Sequence, residues 1–380
     1  MRRSSERSWR SGQRRNWRDR SQELARRVAE ECWHEPRRGG DLKALVTGAG
    51  GFLGGAVARA LKQRGDQVRG FSRGDHPTLA EQDIEQVRGS VADAHAIVEA
   101  VRGMDVVFHA AAKVAAGGAR KDFWDTNVRG TENVIAACLE CGVSVLVHTS
   151  TPSVTFGKTD LEGVDESVGY SEHFEAFYGE SKAAGEQRVL AASSDDLKTV
   201  ALRPHLVWGP GDTSILPRLV HRARTGQLRR IVSPPKRSGH TYIDDAVRAH
   251  LLAVDLLITG GEAASRVTGR PYFITAGEPV EIWTFINALL ATAGVPPVEK
   301  SVSLPAAMAA GWVFEKLHAI TGASGDPRMT RWIVRELTTS HWFDISAARR
   351  DLGYEPTVMM EEGMRRLAEW VEQEGGVQDA

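Results

Sequence analysis

A short apolar run ends in a glycine-rich turn near residue 47, and this junction restricts the fold more than any other feature of the 380-residue chain. Residues 42–47 have the length of a buried strand, and an apolar helical pattern follows the glycines at once. Gly48, Gly51 and Gly54 would permit a tight turn close to a pyrophosphate, with the N–H groups of a helix N-terminus facing the anion. The spacing differs by one residue from the standard Gly-x-Gly-x-x-Gly fingerprint. Glycines can precede any helix, so the turn alone only suggests a dinucleotide site.

Strand-like and helix-like segments alternate from residue 41 onward, which predicts an α/β fold with a Rossmann-type doubly wound parallel sheet. Such sheets bind ligands at the carboxyl ends of their strands. The strands expected after the first are residues 67–72, 85–88, 105–110, 145–149 and 199–203. The helices expected between or after them include residues 94–101, 131–141 and 177–190.

The alternation loosens beyond Asp212, where Pro, Gly and short helical patterns become frequent. We therefore predict an NAD(P)-binding Rossmann domain over residues 41–212, with 240–275 returning to it. Residues 213–239 and 276–372 are predicted to form a smaller C-terminal substrate-binding lobe. Residues 304–320 are largely apolar but fall short of the ~20 residues that a membrane-spanning helix needs. We expect this segment to pack on the lobe or line an apolar pocket, with a peripheral membrane contact as the alternative.

Charge is distributed unevenly along the chain. The formal net charge is -1, but residues 1–40 carry twelve Arg against six Asp or Glu, a net +6 that leaves -7 for the remainder. The composition of residues 1–40 is typical of a disordered extension. The acidic remainder gives no reason to expect a nucleic-acid partner. The basic extension could recruit a partner enzyme or an anionic surface.

The three cysteines, Cys32, Cys138 and Cys141, are too few for a disulfide framework, so we expect a reducing compartment and a cytoplasmic protein. Cys138 and Cys141 fall in a predicted helix, and the sequence offers no second ligand pair, so we expect no metal site. We also expect neither a secretory signal nor a transmembrane segment, because no apolar stretch has the required length or position.

Tyr178 and Lys182 lie four residues apart in a helical pattern, which places both on one helix face. A phenol has a pKa near 10 and exchanges protons poorly at neutral pH, and a cation beside it would lower that pKa. The tyrosine could then exchange a proton with a substrate oxygen while a nicotinamide exchanges a hydride with the adjacent carbon. A predicted strand upstream ends in Thr149, Ser150 and Thr151. We select Thr151, and Ser150 second, as the further catalytic hydroxyl.

Taken as a set, these segments are similar to the extended short-chain dehydrogenase/reductases over residues 42–370. Within that superfamily, Thr149-Ser150-Thr151-Pro152-Ser153-Val154 and His341-Trp342-Phe343-Asp344 resemble the 3β-hydroxysteroid dehydrogenase-type branch. The motifs that carry the superfamily resemblance are Thr47-Gly48-x-x-Gly51-Phe52-Leu53-Gly54, His109-Ala110-Ala111-Ala112, Asn127-Val128-x-Gly130-Thr131, Thr149-Ser150-Thr151, Tyr178-x-x-x-Lys182, Leu202-Arg203-Pro204 and Tyr242-Ile243-Asp244-Asp245.

The chain also resembles the bacterial 2-alkyl-3-oxoalkanoate reductases of long-chain olefin biosynthesis. That resemblance implies reduction of a large apolar substrate, a β-keto acid with two alkyl chains, to the β-hydroxy acid. Tyr178 would be the proton donor, Lys182 the partner of the ribose and the phenol, and Thr151 the second hydroxyl. Pro204 would lie near the nicotinamide, and Asn127 would brace the cofactor side. The cofactor-binding residues expected on this basis are Gly48, Gly51, Phe52, Leu53, Gly54, Ser72, Arg73, Val91, Ala110, Ala111, Asn127, Lys182 and Pro204.

Two positions depart from the superfamily pattern. NAD-specific members usually end strand two in an acidic residue that holds the ribose 2′-hydroxyl, whereas this chain has Ser72-Arg73-Gly74 and its first acid is Asp75. A guanidinium suits a 2′-phosphate through charge-assisted hydrogen bonds, so we predict NADP(H) as the favoured cofactor and NAD(H) as the alternative. Ser90 stands where the family commonly has an Asp that holds the adenine amino group.

The same motifs fit other functions. A 3β-hydroxysteroid-4-carboxylate dehydrogenase, in which decarboxylation follows oxidation at C3, shares them. A non-catalytic dinucleotide sensor would need only the glycine turn. The helices at 131–141 and 178–192 commonly form a dimer interface in related proteins, so we expect a homodimer. A sugar-nucleotide epimerase or dehydratase would bind a diphosphate through basic residues such as Arg218, Arg222, Arg224, Arg229 and Arg230.

Overall fold

The computed structural model describes residues 42–321 and 327–377, so the extension predicted for residues 1–40, with Cys32, lies outside the described residues. The strands are β1 (Lys43–Thr47), β2 (Gln67–Ser72), β3 (Glu85–Arg88), β4 (Val106–His109), β5 (Val145–Thr149), β6 (Leu161–Val164), β7 (Lys198–Pro204), β8 (Val207–Trp208), β9 (Arg230–Val232), β10 (Arg237–Ser238), β11 (Thr241–Tyr242), β12 (Arg270–Ile274), β13 (Val280–Glu281), β14 (Ser301–Ser303) and β15 (His341–Phe343).

The helices, in chain order, are α1 (Phe52–Arg64), α2 (Pro77–Ala80), α3 (Ala94–Val101), α4 (Arg120–Phe123), α5 (Gly130–Cys141), α6 (Phe177–Ala191), α7 (Ile215–Arg224), α8 (Ile243–Thr259), α9 (Gly261–Val267), α10 (Ile282–Thr292), α11 (Leu304–Thr321), α12 (Arg331–Glu336), α13 (Ser346–Leu352) and α14 (Met360–Gln373). A π-helical turn, Trp124–Arg129, leads into α5, and a 3₁₀ turn, Pro152–Val154, follows β5.

Seven parallel strands form the central sheet in the order β3-β2-β1-β4-β5-β7-β12. The order changes direction between β1 and β4, which opens a crevice at the carboxyl ends of these strands. The register places Thr47 beside His109 and Thr149 beside Leu202, so the ends of β1, β4, β5 and β7 meet at one edge. The predicted Rossmann-type doubly wound sheet is confirmed.

Successive residues of the central strands pack on opposite faces of the sheet. Leu45 and Val107 belong to a core that includes buried residues of α3 and α5, whereas Val46 and Phe108 belong to a larger core that includes residues of α1 and α8. All four side chains are buried. Helices therefore cover both faces, and the burial of these apolar side chains is the main force that holds the sheet in place.

A smaller four-stranded sheet has the order β13-β10-β15-β6, and β14 pairs with β9. β6 lies within the range predicted for the Rossmann domain, yet it pairs with β15 of the smaller sheet. The reason is that this strand is short, carries Gly163 and has no alternating pattern, so nothing local reveals its distant partner. By contrast, β12 joins the central sheet beside β7.

The apolar segment predicted over residues 304–320 forms α11. Ala307 and Gly311 are its buried residues, and Ala307 packs with Ile231 and Val334. A side chain at Gly311 would lie 2.9 Å from the Arg331 backbone, so α11 packs closely against the start of α12 through this glycine. Across residues 42–321 and 327–377, no helix is both long and apolar enough to cross a membrane.

Candidate active site

The turn between β1 and α1 is one that glycine alone can form. The Gly48 N–H donates to the Phe71 carbonyl oxygen at 2.8 Å, and the Gly51 N–H donates to the Gly48 carbonyl oxygen at 2.9 Å. Gly48 has a φ of +73°, and a Cβ atom at Gly54 would lie 2.3 Å from the Gly48 carbonyl oxygen. A side chain at either position would displace the backbone of the turn.

The same turn brings several predicted cofactor-binding residues together. A Cβ atom at Gly48 would lie 2.8 Å from the Ala111 backbone, so Ala110 and Ala111, after β4, lie against the turn. α1 begins at Phe52 without a side-chain cap, which leaves its first N–H groups available to an anion, and Leu53 packs on the core. This backbone cradle, which any Cβ atom would fill, fits the pyrophosphate of a nicotinamide dinucleotide.

The residues predicted to contact the adenosine end lie where β2 ends. Ser72 Oγ donates to the Gly74 carbonyl oxygen at 2.8 Å. Arg73 is exposed, and in the part of the chain that the structure describes no residue pairs with its guanidinium. Asp75 lies 3.2 Å from Arg88. The guanidinium of Arg73 is therefore available to a phosphate at this edge of the sheet.

Asn127 lies in the π-helical turn and joins two parts of the site. Its Nδ2 donates to Ser181 Oγ at 2.9 Å and to the Lys113 carbonyl oxygen at 3.1 Å, while its Oδ1 accepts from the Lys113 N–H at 2.7 Å. The amide thus ties the segment after β4 to α6. Val91, another predicted cofactor residue, is buried and packs against Gly130 at the start of α5.

Tyr178 and Thr151 meet although they lie on different elements. The Thr151 side chain lies near the Tyr178 hydroxyl and lowers the pKa of that phenol. Thr151 Oγ1 also accepts from the Ser153 N–H at 3.2 Å, which caps the 3₁₀ turn and fixes the threonine. Ser150 Oγ is buried and has no hydrogen-bond partner among the described residues. Of the two residues selected from the sequence for their hydroxyl groups, Thr151 is the one that lies beside Tyr178.

Lys182 is buried one helical turn after Tyr178. Its Nζ donates to the Thr149 carbonyl oxygen at 2.7 Å and lies 3.3 Å from His148 Nε2. Burial lowers the pKa of Lys182 to about 8, and the carboxylate of Glu186 opposes this effect. The ammonium is therefore protonated at neutral pH and anchored at the end of β5.

α6 is fixed to the sheet by a buried ion pair. Arg203 precedes Pro204 at the end of β7, and its Nε donates to Glu186 Oε2 at 3.0 Å. Both side chains are buried, and the Tyr170 hydroxyl donates to Glu186 Oε1 at 2.8 Å. Because Glu186 lies on the same helix as Tyr178, the pair determines where the tyrosine stands relative to the strand ends.

A neutral histidine links the elements behind Lys182. His109 Nδ1 lies 2.8 Å from Thr47 Oγ1, and its Nε2 lies 3.0 Å from Thr131 Oγ1. Burial, and then the charge of Lys182, lower the pKa of His109 to about 3. The imidazole is uncharged near neutral pH, so it serves as a hydrogen-bonded brace between β1, β4 and α5.

A groove of about 1370 Å³ opens beside this cluster. Trp332 lines it, and the Trp332 ring centroid is 6.4 Å from that of Tyr178 in an edge-to-face arrangement. Phe123, Phe174 and Phe177 add aromatic walls. Of the five arginines considered for a diphosphate, the groove is lined by Arg218 and Arg222.

Comparison with known proteins identifies the family. The profile that matches the chain, over residues 45–306, is that of the 3-beta hydroxysteroid dehydrogenase/isomerase family. The chain belongs to this family.

A 2-alkyl-3-oxoalkanoate reductase from Stenotrophomonas maltophilia (strain K279a) is 46% identical over 86% of this chain and 98% of its own length. A protein of the same description from Shewanella oneidensis is 41% identical over 85% of each chain. The crystal structure of gox2253 is similar with a TM-score of 0.71 and 25% identity, covering 89% of this chain and 100% of the other.

As a member of the 3-beta hydroxysteroid dehydrogenase/isomerase family, the chain is an NAD(P)-dependent oxidoreductase that acts on CH–OH and C=O groups. The resemblance to the extended short-chain dehydrogenase/reductases and to this branch of them is confirmed. A nicotinamide dinucleotide is thus the cofactor, and the glycine turn offers the backbone that its pyrophosphate needs.

The expectation that Lys182 lowers the pKa of Tyr178 is wrong for this family member. Burial raises the pKa of Tyr178 to about 12, the nearby side chain of Thr151 lowers it, and the charge of Glu336 raises it. The lysine does not depress the phenol's pKa because the Thr149 carbonyl oxygen holds its ammonium at the end of β5. The tyrosine is therefore kept as a protonated phenol, ready to donate.

Three further residues lie at this site of the dehydrogenase/isomerase family fold, and no sequence pattern indicated them. A Cβ atom at Gly50 would lie 1.9 Å from His76 Nε2, so the imidazole lies against the glycine turn. Trp332 and Glu336 come from α12 and lie at the tyrosine. No spacing rule connects α12 with Tyr178, and only a contact between distant segments could have revealed them.

Proposed function

We propose that the chain reduces the 3-oxo group of a 2-alkyl-3-oxoalkanoate, a long-chain β-keto acid, to the 3-hydroxy group with NADP(H). The observation that carries the substrate class is the 46% identity to the Stenotrophomonas maltophilia reductase over nearly all of that protein. The groove beside Tyr178 supports this choice, because its aromatic side chains offer apolar surface to alkyl chains.

In the proposed mechanism, Tyr178 and Thr151 bind the 3-oxo oxygen through their hydroxyl groups. The glycine turn, Asn127 and Lys182 would hold a bound dinucleotide, which would supply the hydride that C3 takes up. Tyr178 gives its phenolic proton to the oxygen as negative charge develops there, and Thr151 stabilises the phenolate that remains. A phenol with a pKa of about 12 is still a stronger acid than an alkanol, so the proton moves toward the alcohol product.

The substrate assay tests this proposal directly. We expect NADPH to be oxidised in the presence of a 2-alkyl-3-oxo acid, with a higher kcat/KM than any 3-ketosteroid gives. The family favours one alternative, a 3β-hydroxysteroid or 3β-hydroxysteroid-4-carboxylate dehydrogenase. A higher kcat/KM for a steroid would replace the proposal with that alternative. Activity on neither class, with thermal stabilisation by a UDP-sugar, would favour a sugar-nucleotide enzyme.

The preference for NADP(H) rests on Arg73. We expect Arg73→Ala to lower kcat/KM for NADPH by about 10–100-fold, because charge-assisted hydrogen bonds to a 2′-phosphate are each worth ~1.5–3 kcal/mol. The value for NADH should stay the same, since that cofactor has no 2′-phosphate. Steady-state kinetics with both cofactors measure the effect.

The matched control is Arg102→Ala. Arg102 is also exposed, and its partner is Glu99 on α3. We expect this variant to keep the kinetics of the unmodified enzyme with both cofactors. An unchanged NADPH preference in Arg73→Ala would contradict the assignment of the 2′-phosphate to this arginine.

Two further expectations stay predictions: a homodimer formed through α5 and α6, and a cytoplasmic location. On α5, Leu139 is exposed, as an apolar residue at an interface between copies would be. α6 carries both Tyr178 and Lys182, so contacts between copies on this helix would also fix the catalytic pair.

A further inference from the structure

Glu336 is the last residue of α12, the helix whose Trp332 lines the groove. Its charge acts on the Tyr178 phenol and raises the pKa of that group. Trp332 lies one helical turn earlier, so the two residues share a helix face. The indole lies near the Glu336 carboxyl and lowers the pKa of that group, and the indole ring centroid is 6.4 Å from that of the Tyr178 ring. The Glu336 carboxyl group therefore lies near the Tyr178 hydroxyl.

The surroundings of Glu336 give it no cation. Arg335, the preceding residue, lies 3.3 Å from Glu175, whose own negative charge acts on Glu336. His341 Nδ1 lies 4.0 Å from Glu336 Oε2, but burial lowers the pKa of His341 to about 4, so the ring is neutral. Asp160 and Lys236 face this imidazole from the other side and influence it with opposite charges. Within the described residues, no Lys or Arg forms an ion pair with Glu336.

Desolvation is the main influence on the pKa of this carboxyl group, whose side chain is 22% exposed. It raises the pKa of Glu336 to about 8, with the nearby charge of Glu175 acting in the same sense. Below that pH the group is a neutral carboxylic acid with a proton to donate. A neutral acid beside Tyr178 can bind an anion that a carboxylate would repel.

We propose that Glu336 is the specificity-determining residue for the substrate carboxylate: its carboxyl group and the carboxylate of the 3-oxo acid share one proton beside Tyr178 and Thr151. This inference rests on the proposed function, because it assigns a partner to one group of that substrate. No bond is made or broken in this step. The substrate enters as an anion, Glu336 keeps its proton, and the pair carries one negative charge.

The geometry of a 3-oxo acid supports the assignment. Its carboxyl carbon is two bonds from the 3-oxo carbon, so a substrate whose oxygen lies on Tyr178 and Thr151 must place its carboxylate close by. Two carboxylates at such a distance cannot both be ionised without a large electrostatic cost, and they share a proton instead.

Binding to a non-reactive complex tests the inference without turnover. The enzyme is saturated with NADPH and titrated calorimetrically with a 2-alkyl-3-hydroxy acid or its methyl ester, neither of which NADPH can reduce. We expect the ratio of the two dissociation constants, acid over ester, to be constant below pH 8. Above that pH the ratio should rise about tenfold per pH unit, because an ionised Glu336 repels the negatively charged acid and does not repel the neutral ester.

Two variants separate the proton from the shape of the side chain. Glu336→Gln keeps a hydrogen-bond donor that does not ionise, so the rise above pH 8 should vanish. Glu336→Leu has no donor, so the acid-to-ester ratio should increase by about 10–100-fold at every pH. Glu299→Gln removes an exposed carboxylate from a loop and should behave like the unmodified enzyme.

Two results would overturn this inference and leave the proposed function standing. One is an acid-to-ester ratio that rises above pH 8 in Glu336→Gln as it does in the unmodified enzyme. The other is an acid-to-ester ratio in Glu336→Leu that equals that of the unmodified enzyme. The first result would move the titration to another group, and the second would assign the carboxylate to a cation such as Arg335. Binding of neither the acid nor the ester would overturn the proposed function together with this inference.

Discussion

Tyr178→Phe is expected to lower kcat/KM for the β-keto acid by about 10²–10⁴-fold, because it removes the proton donor and leaves the oxygen without the hydrogen bond that stabilises its developing charge. Thr151 remains, but its hydroxyl alone is a much weaker acid than a phenol. The dissociation constant for NADPH should change little, since the glycine turn is untouched. Steady-state kinetics and a fluorescence titration of NADPH measure the two quantities separately.

The matched control is Tyr354→Phe. Tyr354 is buried and is not among the residues that line the groove, and its hydroxyl donates to the Thr275 carbonyl oxygen at 3.1 Å. Its removal should cost about 1 kcal/mol of stability and leave kcat/KM unchanged. A loss smaller than about tenfold in Tyr178→Phe would contradict the role of the phenol as proton donor.

Arg203→Met is expected to lower the free energy of unfolding by about 3–5 kcal/mol, because it leaves the buried carboxylate of Glu186 without its partner. Both side chains are almost fully buried, at 3% and 0% exposure, so water cannot solvate the remaining charge. α6 should lose its fixed position on β7, and activity should fall as Tyr178 and Lys182 move. Urea denaturation followed by circular dichroism measures the loss of stability.

The double variant Arg203→Met/Glu186→Met tests the cause. With both charges gone, an apolar pair of similar volume should recover most of the lost stability, because the cost lies in the unpaired charge. Recovery will not be complete, since the Tyr170 hydroxyl loses its acceptor. A double variant less stable than Arg203→Met would show that the ion pair itself, rather than an orphaned charge, supplies the stability.

The central sheet could be predicted because its strands are local apolar runs. Val106–His109 is buried at every position, and Val145–Thr149 at all but the last. A parallel strand covered on both faces reads as a continuous apolar segment bounded by turn residues. Two other features could be predicted for the same reason, because each depends only on residues that are neighbours in the chain. They are the glycine turn at Gly48 and the spacing of Tyr178 and Lys182.

Properties that depend on distant segments could not be read in this way. The direction of the Lys182 ammonium depends on a backbone carbonyl at Thr149, so the sequence wrongly predicted a lowered pKa for Tyr178. β6 pairs with β15, a strand that is distant from it along the chain. Glu336 reaches the tyrosine only through the packing of α12, and its raised pKa is a consequence of burial that no local pattern encodes.

The central claim is that Tyr178 and Thr151 together hold the oxygen at C3 of a substrate that lies against the nicotinamide. A crystal structure of the enzyme with NADP⁺ and a 2-alkyl-3-hydroxy acid tests it most directly. We expect Tyr178 Oη and Thr151 Oγ1 to lie within hydrogen-bonding distance of the C3 oxygen, with the alkyl chains in the groove lined by Trp332. A C3 oxygen bound to other groups, with the tyrosine hydroxyl directed away from the dinucleotide, would contradict it.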